Sequence, residues 1–162
     1  MNYIKTTWNM VTIMIVACLS VVTISFATFG SQVLAENLKT DQKIIFPDRN
    51  LEREIRKKIK KPEGIIYVAD LKRLTGFYAP HSSIINLTGL EHCTNLEELY
   101  LWGNRITDIS ALSTLINLEE LHLSYTKITD ISALSTLTKL EELWLWGNPL
   151  NANSTSLISQ LR

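Results

Sequence analysis

From residue 74 onward, apolar positions recur with a period of 22 residues. Leu74, Leu96, Leu118 and Leu140 open four successive copies. Phe77, Leu99, Leu121 and Leu143 follow in register, then Ala79, Leu101, Leu123 and Leu145, then Ile84, Ile106, Ile128 and Leu150. The ten residues Ile106–Leu115 return unchanged as Ile128–Leu137. Within a copy, the alternation Leu99-Tyr100-Leu101 predicts a half-buried strand with both leucines inward. Asn104 and Asn148 fall where the chain must turn, so their amides can bond backbone groups that a strand ladder leaves unpaired. Thr126 and Ser82 stand at the equivalent positions of the other two copies. Asp108 and Asp130 precede Ile-Ser-Ala-Leu and read as caps of short helical turns, from which Leu112, Leu115, Leu134 and Leu137 return to the core. One copy cannot bury its own apolar face, whereas stacked copies make a continuous core.

Ahead of the repeats the pattern changes twice. Pro47-Asp48 opens a helix with Asp48 as N-cap, and Leu51, Ile55 and Ile59 share one face. Lys61-Pro62-Glu63-Gly64 ends it, and Val68–Arg73 predicts a second short helix. Together they are expected to cover the open end of the array. Further upstream, Lys5 is followed by the almost wholly apolar run Met10–Phe29, then Gly30-Ser31-Gln32 and Val33-Leu34-Ala35. Charged, apolar and small-residue segments in that order are the layout of a secretory leader, cleaved here after Ala35. The run also reaches the ~20 residues that span a bilayer, so an uncleaved anchor over residues 10–29 is the competing reading. The expected divisions are 1–35 signal peptide or anchor, 36–73 linker and helical cap, and 74–162 repeats with an incomplete C-terminal cap. For that last cap Leu157, Ile158 and Leu161 are spaced for a short helix.

Charge adds little direction: Lys+Arg and Asp+Glu both number 16, which argues against a nucleic-acid partner. Locally, acidic residues outnumber basic ones beyond position 95, and Arg53, Arg56, Lys57, Lys58, Lys60 and Lys61 make the first helix basic. Glu52 and Glu54 are interspersed, as on an ordinary solvated face. Of two cysteines, Cys18 lies in the apolar leader and Cys93 in the column of Leu115 and Leu137, a core position where cysteine acts as a small hydrophobe. No disulfide framework, nucleophile elbow or phosphate loop is present, and His81, His92 and His122 are scattered in sequence. No catalysis and no cofactor are expected.

The outward strand positions carry the candidate chemistry. They form three columns: Gly76, Glu98, Glu120, Glu142; Tyr78, Tyr100, His122, Trp144; and Pro80, Trp102, Ser124, Trp146. Tyr and Trp are the residues enriched at binding hot spots. Tyr78, Tyr100, Trp102, His122, Trp144 and Trp146, with Glu98, Glu120 and Glu142 beside them, are therefore the candidate ligand-binding set. Like charges on neighbouring rungs are mildly destabilising, and they suit a basic partner as well as they suit plain repeat duplication. A single file of carboxylates does not surround a calcium ion, so no metal site is expected.

The copies NLEELYLWGNRITDISALSTLI and NLEELHLSYTKITDISALSTLT resemble the internalin class of bacterial leucine-rich-repeat proteins. FPDRNLEREIRKKIKKPEGIIYVADLKRLTG is similar to the helical cap that precedes such repeats. The resemblance implies an α/β solenoid with a curved parallel sheet on its concave face, short helical or 3₁₀ turns on its convex face and a helical N-terminal cap. It also implies a secreted or cell-surface role in binding a protein or glycan, with a membrane involved only if residues 10–29 are retained as an anchor. NPLNANSTSLISQL resembles the start of the family's C-terminal cap, and no cell-wall sorting motif follows. A non-specific structural envelope protein, or a fragment of a longer surface adhesin, are the alternative readings.

Overall fold

The structure is a computed structural model that describes residues 42–158. The expected leader, the start of the linker and Leu161 lie outside the described residues. Strand β1 (Lys43–Ile44) pairs antiparallel with β2 (Ile66–Tyr67), Ile44 opposite Ile66. Helix α1 (Arg49–Ile59) runs between them. Its N-cap is Asp48, whose Oδ1 accepts from the N–H groups of Asn50 (2.8 Å) and Leu51 (3.2 Å). The helix closes at Lys60, in the left-handed region at φ 55°. Leu51 and Ile55 are buried and Ile59 packs partly against the core, the face expected from the spacing.

The second helix, α2 (Val68–Leu71), is shorter than the Val68–Arg73 reading. Lys72 ends it, and Leu74 turns into the core with its N–H on the carbonyl of Leu71 at 3.0 Å. Burying Leu74 takes the chain off the helical path two residues early. The β1–β2 pair had no sequence signal, because two-residue strands are too short to show alternation; its Ile44 and Ile66, and the neighbouring Phe46, belong to the core.

Four three-residue strands follow in parallel and in sequence order: β3 (Gly76–Tyr78), β4 (Glu98–Tyr100), β5 (Glu120–His122) and β6 (Glu142–Trp144). Each connection returns through a 3₁₀ segment, at Leu90–His92, Ser110–Thr114 and Ser132–Thr136. Asp108 and Asp130 lie one residue ahead of the caps of the latter two, and each accepts the N–H two residues on, Ser110 and Ser132, at 2.8 Å. Between sheet and turns lies one apolar core in which Leu99, Leu101, Leu121 and Leu123 have no exposed surface. Cys93 is fully buried and unpaired. Burial pushes its thiol up to about 12, with Glu91 adding to the shift, so it remains an inert thiol.

The expected asparagine ladder is present. Buried Asn104 donates to the carbonyls of Ala79 (2.9 Å) and Leu101 (2.7 Å) and accepts from Ser82 and Ile84 N–H at 3.0 Å. Asn148 repeats the pattern on Leu123, Leu145 and Ile128 and takes the Thr126 hydroxyl in place of a second N–H. On the convex side, Thr114 and Thr136 each reach back one copy, to the carbonyls of Glu91 and Ser113.

After the last strand comes α3 (Ala152–Ile158), which places Leu157 and Ile158 partly against the core. Buried Ser154 fastens it, its hydroxyl bonding the carbonyl of Thr129 at 3.0 Å and the N–H of Ile131 at 3.1 Å. Leu143, Leu145 and Leu150 are only partly buried, and a groove of about 470 Å³ stays open beside them, lined also by Leu140, Trp146 and Ile158. The C-terminal rung is thus less well covered than the others.

Candidate functional site

The strand pairings place two of the three outward columns in file. Glu98, Glu120 and Glu142 are direct partners, as are Tyr78, Tyr100, His122 and Trp144. Parallel strands lie ~4.8 Å apart, within the ~4.5–7 Å at which the centroids of paired aromatic rings sit, so the second column becomes a stack. Ring centroids are 5.2 Å apart for Tyr78–Tyr100, 4.4 Å for Tyr100–His122 and 5.1 Å for His122–Trp144. The His122–Trp144 planes are within 22° of parallel. Pointing outward is therefore not the same as being exposed: Tyr100 and His122 are half-buried by their neighbours, while Tyr78 and Trp144 at the two ends are exposed.

The third column behaves differently. Trp146 is 69% exposed. Trp102, expected as a solvent-facing anchor, is half-buried, with the His81 ring edge-on to it at 4.2 Å. The cause, not visible from strand alternation, is a second 22-residue series at the turn that follows each strand. Positions 81, 103, 125 and 147 all have positive φ, and they alternate His81, Gly103, Tyr125, Gly147. Each glycine leaves room for the ring of the copy before it: a Cβ on Gly147 would sit 2.6 Å from the Tyr125 ring, and one on Gly103 would strike the His81 ring. Tyr125 is thereby held on the rim and exposed.

Carboxylates and rings are coupled. The Tyr100 hydroxyl donates to Glu120 Oε2, and that bond, with burial and the charges of Glu120, Glu98 and Glu142 behind it, pushes the phenol up to about 12. Trp144 Nε1 donates a long bond to Glu142 Oε2 at 3.4 Å. None of Glu98, Glu120 and Glu142 has an ion-pair partner among the described residues. Read one column at a time, His122 and the glutamates look unrelated. The pairing instead brings one donor atom each of Glu120, His122 and Glu142 within 4.8 Å of one another.

The basic helix is a weaker candidate. Arg53 and Lys57 both pair with Glu54, at 3.1 and 2.9 Å, Arg56 pairs with Glu52 at 2.8 Å and Lys61 with Asp70 at 2.8 Å, so four of the six cations in and just after it are already engaged. No helix among the described residues is long and apolar enough to cross a membrane.

Comparison with known proteins agrees with this geometry. A family model described as leucine-rich repeats (2 copies) matches residues 72–114 and 116–159. An internalin (InlF) of Listeria monocytogenes is 40% identical over 66% of this chain and 32% of its own, with a TM-score of 0.65. The functional domain of InlJ from the same organism is 32% identical over 70% of this chain and 26% of its own, also at 0.65. The CBM51-2 and INT domains of Clostridium perfringens ZmpB are 32% identical over 56% of this chain and 19% of theirs, at 0.51. The chain thus spans a third or less of the length of these structures. No match was found among the curated proteins. Repeat period, parallel one-strand rungs and these likenesses together show that the chain belongs to the leucine-rich-repeat family, with repeats of the internalin type.

Proposed function

We propose that this chain is an exported, non-catalytic binding module that recognises a protein through the sheet face. The carrying observation is the register of that face: an acidic file beside an aromatic file that ends in the exposed ring of Trp144, with the exposed ring of Trp146 in the next column. Protein is favoured over glycan because sugars stack on free ring faces, and most faces in this file are covered by the next ring. What remains is ring edges, two terminal rings and unpaired carboxylates, which suit a polypeptide bearing basic and apolar side chains. Export rests on the sequence of residues 1–35, with cleavage after Ala35 or retention by residues 10–29 as the two routes to the surface.

The test uses the full chain as bait against surface extracts of bacterial and host cells, beside two variants. Trp144→Ala/Trp146→Ala should lose a captured protein by at least ~2 kcal/mol, the hot-spot scale. Ser135→Arg, on the opposite side, should keep it. A partner that ignores the tryptophans and is lost with Ser135→Arg moves the site to the 3₁₀ face. Release of every captured partner by free glycans returns the glycan reading. N-terminal sequencing of the exported product distinguishes Glu36 as first residue from a retained Met1.

A further inference from the structure

Strand alternation puts Glu120 and His122 on one face of β5, and the parallel pairing sets Glu142 of β6 directly beside Glu120. Each contributes one donor atom to a group whose members lie within 4.8 Å of one another. Two carboxylate oxygens and one imidazole nitrogen suit a first-row divalent ion of the zinc type, which accepts three protein ligands and keeps a fourth position open. Calcium is a poor fit, since it takes six to eight oxygens.

Three further features point the same way. Each donor is held by an aromatic neighbour: Tyr100 donates to Glu120, Trp144 to Glu142, and the His122 ring is clamped between those two rings. Such outer partners orient metal ligands. The Nε2 atom of His122 is shut off from solvent and has no hydrogen-bond partner, a rare state for a buried polar atom. Finally, Glu120 and Glu142 stand side by side without an ion-pair partner among the described residues, where like charges on adjacent strands repel. A cation between them removes that repulsion.

We propose that Glu120, His122 and Glu142 bind one divalent transition-metal ion, Zn²⁺ being the best match, which bridges β5 and β6 and pins the thinly covered last rung. Tyr100 and Trp144 are positioning residues. The site lies on the proposed binding face but does not depend on that role.

The test titrates the metal-free full chain with Zn²⁺ alone, by calorimetry and by thermal melting, and uses Co²⁺ to report coordination through its visible absorption. One ion per chain and a higher melting midpoint are expected, with a Co²⁺ spectrum of a four-coordinate site. His122→Ala and Glu142→Gln should each weaken binding at least ~100-fold, and Tyr100→Phe about 10-fold, the scale of a lost outer partner. Glu97→Gln, at an exposed carboxylate outside the group and outside the outward columns, should bind as the parent does. Circular dichroism without metal confirms that each variant is folded, and Glu120→Gln replaces any that is not. Absence of saturable Zn²⁺ binding overturns the proposal. So does binding that survives in His122→Ala and Glu142→Gln, which would place the ion elsewhere.

Discussion

At the scale of single residues, a few polar side chains hold the repeats in register and the leucines fill the space between. Asn104 satisfies four backbone groups from two adjacent copies while itself only 4% exposed. Removing it strands those groups inside the core, and a buried unsatisfied group costs about 1–3 kcal/mol. Asn104→Ala should therefore lower stability by at least ~3 kcal/mol, about as much as deleting a core leucine. Thermal or urea unfolding measures this, and a loss under 1 kcal/mol would mean water takes over the amide's bonds. Gly103 is the opposite case, a residue whose absent side chain matters. Its φ of +71° and the His81 ring above it mean that Gly103→Ala adds a left-handed strain of ~1 kcal/mol to a steric clash. Trimming the ring in Gly103→Ala/His81→Ala should recover the steric part and leave the strain, so the double variant is expected to melt above the single one.

At the scale of elements, what was legible followed from period. Strand positions, inward leucines, outward columns and the asparagine turns repeat every 22 residues, and a sheet pairing in sequence order converts that period directly into lateral neighbours. The β1–β2 pair and Ser154 occur once each, so no repetition announced them; Ser154 reads as an ordinary surface serine until α3 is folded over Thr129. The half-burial of Trp102 and the Glu120–His122–Glu142 group were hidden differently. Both depend on contacts between columns, and alternation along a strand reports only which face a residue takes. The rungs also differ in strength in a way their near-identical sequences do not show. Leu121 is fully buried, while Leu143, one rung later, is only partly covered beside the open groove. Leu121→Ala should cost roughly 2–5 kcal/mol, and Leu143→Ala less than half of whatever Leu121→Ala costs. Native-state hydrogen exchange should show amides of β6 and α3 opening before those of β4. Uniform protection across the four strands would mean that the array opens only as a whole.

At the scale of the whole molecule, the array is a stack in which each copy leans on its neighbours, so its response to acid depends on where the sensitive carboxylates sit. Asp48, Glu54 and Asp70, the carboxylates held below their ordinary range among the described residues, all belong to the N-terminal cap. For Asp48, burial pushes the carboxyl up, but four backbone N–H groups outweigh it. Two belong to α1, and two, Ile85 at 2.7 Å and Asn86 at 3.0 Å, to the first repeat, so this one side chain both starts the helix and ties it to the array. For Glu54 and Asp70, burial is again opposed, by Lys57 and Arg53 in one case and by Lys61, the Tyr67 N–H and Arg73 in the other. A carboxyl lowered by folding adds stability that is full above its unfolded value, 3.8 for Asp and 4.5 for Glu. That stability is lost as pH falls through the lower folded value. Acid should thus loosen the cap first and release its ties to Ile85 and Asn86 of the first repeat. The melting midpoint is expected to hold between about pH 7 and 5 and to drop below about pH 4.5. Asp48→Asn should melt lower at neutral pH, by roughly 1–2 kcal/mol of cap and tether strength, yet lose less on acidification, because its amide has no proton to take up. Melting curves of both proteins from neutral pH to pH 3 decide the matter. Parallel acid limbs in the two proteins would place the sensitive groups in the repeats, and the cap would then be a cover that acid leaves in place.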